Sequence, residues 1–434
     1  MKRPVLTLLA LAAAPAAAQP SFHTPVQYGT STRPSGVAAA DFDGDGDTDL
    51  TITIDNPDRV RFLWNNGNGV FSSPTAIQLG SGTGAGSLVA ADFDGDGDID
   101  LAVALQNAGK VRIVKNNGAK SFSLGSLSTV GANPRGLTAA DFNGDGKRDL
   151  AVANRDSDSA SILLNSGTGT FSVATVAVGL EPRAAAAGDL NGDGRPEVFI
   201  TNHDSRSVTV LVNNGNGAFS AGQTVSVGSS LRPEGIAAGD FDGDGDVDAV
   251  VALSGSGGHF VGLLRNSGGV LGVPVKSAVN GIDPGALAAA DLDYDQDLDV
   301  VVANETSGTV SVMRNNGSGS FAVAQVIATG TTPEGVVIAH FDANESEDIA
   351  VANRDTNTTS VALNQATGAG PAPCYADCDG SGGTQNLNIM DFQCFLSRYA
   401  ANHPYANCDG SAAAPRLNVA DFSCFVTRFA AGCN

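Results

Sequence analysis

At 434 residues the chain is too long for one ordinary hydrophobic core, so it holds several domains or one repeat architecture. Its 54 glycines and 6% aromatic content point to many turns and short strands rather than long helices. A net charge of −22 argues against nucleic acid as a partner, and beyond the first residues no segment is long and apolar enough to span a bilayer.

The first stretch sets the expected compartment. Lys2 and Arg3 precede an apolar run from Val5 to Ala14, and Ala16, Ala17 and Ala18 supply small residues before Gln19. This pattern predicts a secretory signal at 1–18, cleaved near Ala18, and a mature protein that is secreted or held at the cell surface.

Residues 19–364 are repetitive. Seven short segments (41–49, 92–100, 141–149, 189–197, 240–248, 291–299 and 340–348) contain 30 of the 46 acidic residues and just three basic ones, Lys147, Arg148 and Arg195. Their starts, from Asp41 through Asp92, Asp141, Asp189, Asp240 and Asp291 to His340, lie 48 to 51 residues apart, a period that means a solenoid or a propeller. Within the first period Gly36–Ala40, Leu50–Ile54 and Val60–Trp64 are short apolar runs, Asn65-Asn66-Gly67 is a hairpin signal, and Phe71–Leu79 reads as an alternating strand. Four strands per period, with no helical periodicity before residue 389, make each period an antiparallel blade. A fourth-strand aromatic or leucine recurs at Phe22, Phe71, Phe122, Phe171, Phe219, Leu271 and Phe321, and the first of these precedes the first acidic segment. The segment Phe22–Tyr28 is therefore expected to supply the outer strand that the last period lacks, closing a ring and removing its open edges. The predicted fold is all-β: a seven-bladed β-propeller of four-stranded antiparallel blades.

The acidic segments carry the chemistry. In Asp41-Phe42-Asp43-Gly44-Asp45-Gly46-Asp47-Thr48-Asp49, side-chain oxygens at positions 1, 3, 5 and 9 and the backbone carbonyl of position 7 (Asp47) suit a hard cation, with glycine at position 6 permitting the turn. The set repeats as Asp92, Asp94, Asp96, Asp98 and Asp100; as Asp141, Asn143, Asp145, Lys147 and Asp149; as Asp189, Asn191, Asp193, Arg195 and Glu197; and as Asp240, Asp242, Asp244, Asp246 and Asp248. In each, the seventh position contributes through its carbonyl. The sixth segment keeps Asp291, Asp293, Asp295, Asp297 and Asp299 but has Gln296 in the glycine place; the seventh has His340, Asp342, Asn344 and Asp348, with Glu345 in that place. Without Cys or His in the first six sets, zinc and copper are disfavoured and calcium is the expected ion, five or six per chain, each with a structural role.

The string Ala-Asp-Phe-Asp-Gly-Asp-Gly-Asp-x-Asp-Leu, followed by an apolar strand and Asn-Asn-Gly-x-Gly-x-Phe, resembles the FG-GAP/VCBS repeat family, related to the integrin α-subunit propeller. The resemblance spans roughly residues 21–366. It implies one calcium per complete loop in the first connection of a blade, and an extracellular scaffold or binding domain.

Alternating strand direction puts the calcium connections on one face and the turns between second and third strands on the other. Six residues before each loop start stand Ser35, Gly86, Arg135, Arg183, Glu234, Gly285 and Glu334, expected to ring the channel mouth on that other face. Arg135 and Arg183 are expected on one side, with Glu234 and Glu334 nearly opposite. These four are the candidate residues for an extracellular protein or glycan ligand, because variable polar loops on a rigid scaffold usually carry recognition. The sequence has no H-E-x-x-H, G-x-S-x-G or G-x-x-x-x-G-K-[ST] motif, and its five histidines are scattered, so no catalytic residue is assigned. The alternative is a carbohydrate-active lyase or hydrolase using Glu234 and Glu334 as an acid/base couple.

Residues 365–373 read as a linker. Beyond it lie all six cysteines, Cys374, Cys378, Cys394, Cys408, Cys424 and Cys433, an even number in a short exported tail and so a disulfide framework with 15 possible pairings. The tail is duplicated at a shift of 30: Asp377-Cys378-Asp379 to Asp391-Phe392 recurs as Asn407-Cys408-Asp409 to Asp421-Phe422, each copy ending in an amphipathic helix. Residues 374–434 resemble a dockerin module, which implies docking to a cohesin-like or envelope partner. Ser381, Ser411 and Ala412 depart from that pattern and argue against calcium in the tail.

Overall fold

The apolar run that follows each acidic loop becomes a strand buried on both faces. In the computed structural model, which describes residues 19–365 except 31, 73, 74 and 345, every residue of Asp100–Leu105, Asp149–Asn154, Glu197–Asn202, Asp299–Asn304 and Asp348–Asn353 is buried. Strands enclosed between two neighbouring sheets have no solvent face, which is why they lack the usual alternation. Around each of them forms one four-stranded antiparallel sheet, and there are seven such sheets. Six follow chain order, as in the first: Pro34–Ala40, Asp49–Asp55, Asp58–Leu63 and Ala76–Gln78. The first strands are innermost and touch both neighbours, so that the last, Pro333–Ala339, meets the first, Pro34–Ala40. The described residues form a seven-bladed propeller.

Closure follows the offset seen in the sequence. Val26–Gly29 pairs antiparallel with Thr358–Ala362, with Val26 opposite Val361 and Gly29 opposite Thr358, and Phe22 bridges Asn364. Hydrogen bonds from His23 N to Leu363 O (2.9 Å) and Gln365 N to Ser21 O (2.7 Å) extend the clasp. Chain positions more than 330 apart thereby share one sheet, and no blade is left with an unpaired third strand.

Two details position the sites. Each first strand is irregular at its start, with register shifts between Pro34 and Val37, Pro134 and Leu137, Pro182 and Ala185, Pro233 and Ile236, Pro284 and Leu287, and at the matching places of the other two blades. A bulge re-aims the side chain it carries, and the bulged residue here is the one six before each loop. Immediately after it, Gly136 and Gly335 pass against the next blade: a Cβ on Gly136 would lie 2.5 Å from Ala184 Cα, and one on Gly335 2.6 Å from Ser35 O. The crowded centre requires small residues there. The linker, the cysteine-rich tail and the signal segment lie outside the described residues, and so do the helices expected in the tail.

Candidate metal loops and channel mouth

Position 9 of each loop is the most deeply placed. Asp49, Asp100, Asp149, Asp248, Asp299 and Asp348 are 0% exposed, and Glu197 1%. One oxygen of Asp49 accepts the Phe42 amide (3.2 Å) and the other the Asn65 amide (2.8 Å). The Asn65 side chain then donates to Thr48 O (2.9 Å) and, across the blade junction, to Phe341 O (2.8 Å). The same asparagine bridge recurs at the other six junctions, through Asn116 to Phe42, Asn165 to Phe93, Asn213 to Phe142, Asn266 to Leu190, Asn315 to Phe241 and Asn364 to Leu292. The residue at position 2 fills the junction itself: Phe93 meets Phe171 and Phe142 meets Phe219 edge to face, each the fourth-strand phenylalanine of the next blade. Burial pushes Asp49, Asp299 and Asp348 up to about 7, and Asp100 and Asp248 up to about 6, against hydrogen bonds that pull the other way.

Position 1 organises the turn. Asp41 accepts the Gly44 amide (2.8 Å) on one oxygen and the Gly46 amide (2.9 Å) on the other, and Asp92, Asp141, Asp189 and Asp240 repeat this. In the sixth loop Gln296 keeps its bond to Asp291 (2.9 Å) by adopting φ 72°, and Tyr294 adopts φ 61°. Left-handed backbone costs a side-chain-bearing residue roughly 1–2 kcal/mol, so this loop keeps its shape without glycine at a local cost.

Positions 1, 3 and 5 converge. Asp41, Asp43 and Asp45, Asp92, Asp94 and Asp96, and Asp291, Asp293 and Asp295 each offer three oxygens within 4.8 Å of one another, as do Asp240, Asp242 and Asp248. At position 3, Asp94, Asp242 and Asp293 each hold a buried oxygen, Oδ1, with no hydrogen-bond partner among the described residues. Their other oxygens face Lys115, Arg265 and Arg314, and Asp43 faces Lys120. Position 7 turns its side chain away: a Cβ on the hairpin glycines Gly67, Gly118 and Gly317 would touch Asp47, Asp98 and Asp297. In those three loops only the backbone of that position is left for the loop.

Loops three and four differ. Asn143 and Asn191 stand at position 3, and the Asn191 amide nitrogen donates to Glu197 (3.1 Å). Lys147 and Arg195 at position 7 pair with Asp145 (3.1 Å) and Asp193 (2.6 Å). The seventh loop is sealed by its own polar groups: His340 Nδ1 lies 3.2 Å from Ser346 O, while Asn344 and Ser346 donate to Asn364 O at 2.9 and 2.8 Å. Asp348 there keeps both of its amide bonds, to Phe341 (2.9 Å) and Asn364 (2.7 Å).

On the opposite face the bulged residues reach the channel mouth, but the expected charge arrangement needs correcting. Glu234 is not across from Arg183; it lies beside it in the next blade, 3.7 Å away, because the two occupy consecutive ring positions. Glu334 pairs with Arg354 of its own blade. Sequence reasoning missed a second ring, fourteen residues after each loop start, which includes Arg155, His203, Glu305 and Arg354. Arg155 pairs with Glu181 (2.8 Å), and His203 sits between Glu234 on Nε2 (3.1 Å) and Asp204 and Glu181 on Nδ1 (2.9 and 3.3 Å). The constant fourteen-residue offset was the available signal. Burial raises Glu305 and Glu334 to about 7, each helped by a neighbouring carboxylate. Among the described residues no helix is long and apolar enough to cross a membrane.

Comparison with known proteins agrees with this architecture. The FG-GAP-like repeat matches residues 41–103, 92–152, 141–200, 189–251 and 291–351. No curated protein matches the chain. Among solved structures, virginiamycin B lyase from Staphylococcus aureus is similar over 79% of this chain and 99% of that one, at 13% identity and a TM-score of 0.56. BBS1N, in complex with ARL6DN, is similar over 80% and 98% at 15% identity and 0.56, and a protein from Lactobacillus plantarum over 70% and 86% at 16% and 0.54. At such identities the likeness is one of fold. With matches running from loop to loop over more than half its length, the chain belongs to the FG-GAP-like repeat family.

Proposed function

We propose that this is an exported, calcium-stabilised propeller that serves as an extracellular binding scaffold, without catalysis of its own. The observation that carries the calcium reading is the unpartnered buried oxygen on each of Asp94, Asp242 and Asp293, set among further carboxylates of the same loop. Leaving a carboxylate oxygen buried and unmatched costs on the order of 1–3 kcal/mol or more, and a hard cation accepting several oxygens removes that cost. Asp41, Asp43 and Asp45 and their counterparts in loops two, five and six would hold an ion; loops three and four, with asparagine at position 3, would hold one more weakly. The ion supplies positive charge that fixes the turn, and every polar group that shapes the loop belongs to the chain itself.

Recognition is assigned to the mouth opposite the loops, where Arg135, Arg183, Glu234 and Glu334 stand on bulged strand starts above a rigid ring. Binding is favoured over acid/base catalysis because Glu234 is tied to Arg183 and His203, and Glu334 to Arg354. Docking through residues 374–434 and export through residues 1–18 complete the reading on sequence grounds. Calcium titration by calorimetry together with melting tests it: four or more sites and a strong rise in Tm are expected. A melt indifferent to chelator, with no heat of binding, overturns it.

A further inference from the structure

Two ring positions per blade bring charge to the mouth, and nearly every charge there is matched. Arg33 pairs with Asp55 (3.4 Å), Arg155 with Glu181 (2.8 Å), Arg183 with Glu181 and Glu234 (3.4 and 3.7 Å), and Arg354 with Glu334. Two charges remain. Arg135 makes no hydrogen bond or ion pair among the described residues, and its Nε is buried without a partner. Glu305 likewise bonds to nothing through its carboxylate, which lies over Gly285, the ring position of its blade that has no side chain.

The two are of opposite sign. Arg135 belongs to the third blade and Glu305 to the sixth, three apart in a ring of seven, so they stand on opposite sides of the mouth. Burial and Glu234 raise Glu305, and against them Arg183 first and Arg135 after it favour its ionised form, so Arg135 and Glu305 lie within each other's field. Half-buried charges left unmatched are costly, and a ligand that supplies both counter-charges recovers that cost. A purely anionic or purely cationic ligand would satisfy one and be repelled by the other. Neither ring position holds Phe, Tyr or Trp in any blade, so the two rings themselves offer no aromatic face on which a sugar ring would stack.

The geometry points to a zwitterionic ligand of the amino-acid type, its carboxylate held by Arg135 and its ammonium by Glu305. The inference rests on the reading of this face as the recognition surface and adds the chemistry it reads. A free ω-amino acid and a peptide carrying one basic and one acidic side chain present the same pair of charges.

Calorimetric titration of the calcium-loaded full chain tests it, with glycine, 4-aminobutyrate, 6-aminohexanoate and an end-blocked Lys-Gly-Asp-type peptide, and with propylamine and propionate as single-charge controls. One zwitterion is expected to bind with 1:1 stoichiometry, at least tenfold more tightly than either control. Arg135→Met and the isosteric Glu305→Gln are each expected to weaken it tenfold or more while leaving the calcium titration unchanged. Binding of a free amino acid identifies a small ligand; binding of the blocked peptide alone identifies a chain. Absence of binding by every zwitterion, or affinity that survives both substitutions, overturns the inference. A protein or glycan captured at the mouth in spite of both substitutions overturns it too while leaving the scaffold standing, and loss of calcium uptake strikes the scaffold reading instead.

Discussion

The loops of blades one, two, five and six and those of blades three and four share a backbone and differ in charge. The former carry five carboxylates each, with aspartate at position 7. The latter carry three acids and place Lys147 or Arg195 at position 7, where each neutralises a carboxylate of its own loop. The acid-rich loops take a base from elsewhere. Lys115, Arg265 and Arg314, at the end of the third strand, reach position 3 in blades two, five and six, and Lys120 reaches Asp43 of blade one. At that strand position blades three, four and seven hold Leu164, Val212 and Leu363. What does not vary is the buried acid at position 9 and its asparagine bridge, kept even in the seventh loop with its histidine at position 1. On the proposed calcium reading the repeat divides two tasks: position 9 joins blades, while positions 1, 3 and 5 would chiefly set the affinity for a cation.

If that separation is right, the seventh blade is the place to break it. Asp348→Ala removes an acceptor of two buried amide bonds where no ion is assigned. Bonds to a charged group contribute roughly 1.5–3 kcal/mol each, so a loss of about 3–5 kcal/mol is expected, of equal size with and without chelator, read from denaturant melts. A loss seen only in calcium would show that position 9 acts through an ion after all. Asp242→Asn in loop five should do the opposite: one fewer calcium in calorimetry and a drop of about 1–3 kcal/mol confined to calcium-loaded protein. If the stoichiometry does not change, position 3 is not a ligand.

The fold and this division were unequally legible. A fifty-residue acidic period, continuous apolar runs such as Val300–Ala303 and the displaced Phe22 were enough for seven blades and their closure, because each reports a local requirement of burial or edge pairing. The mouth was harder. Which of Arg135, Arg183, Glu234 and Glu334 meet depends on how consecutive blades rotate about the axis, and Glu305 enters only because Gly285 leaves space that a neighbouring turn fills. Position 9 looked like one ligand among five in the sequence; its burial and its two amide partners come from the packing of adjacent blades.

Acidity sharpens the comparison next. Burial holds Asp49, Asp299 and Asp348 at about 7 in the folded chain, above the ordinary 3.8. The folded state therefore binds protons that the unfolded state has released, and stability present below about pH 4 is lost as pH rises through about 7. Ion-free protein should lose roughly 2–3 kcal/mol per such group between pH 5 and pH 8. Calcium should flatten the slope belonging to Asp49 and Asp299 and leave that of Asp348. Melts at both pH values, with and without calcium, decide this; a slope erased completely by calcium would place an ion in the seventh loop.

The smallest effect concerns the borrowed bases. Arg265 is open to solvent while its partner Asp242 is largely buried; a pair screened by water on one side contributes about 0–1 kcal/mol to stability, so Arg265→Met should lower the ion-free Tm only slightly. Its charge nevertheless lies within the field an incoming cation must enter, and its removal should tighten calcium at loop five several-fold. Lys147→Asp should do the same for loop three while leaving loop five untouched, because that substitution removes the base the loop supplies itself and brings it from three carboxylates to four. Equal tightening at both loops from either change would mean that the whole acidic face, rather than each blade, sets the affinity, and the comparison between loop types would lose its meaning.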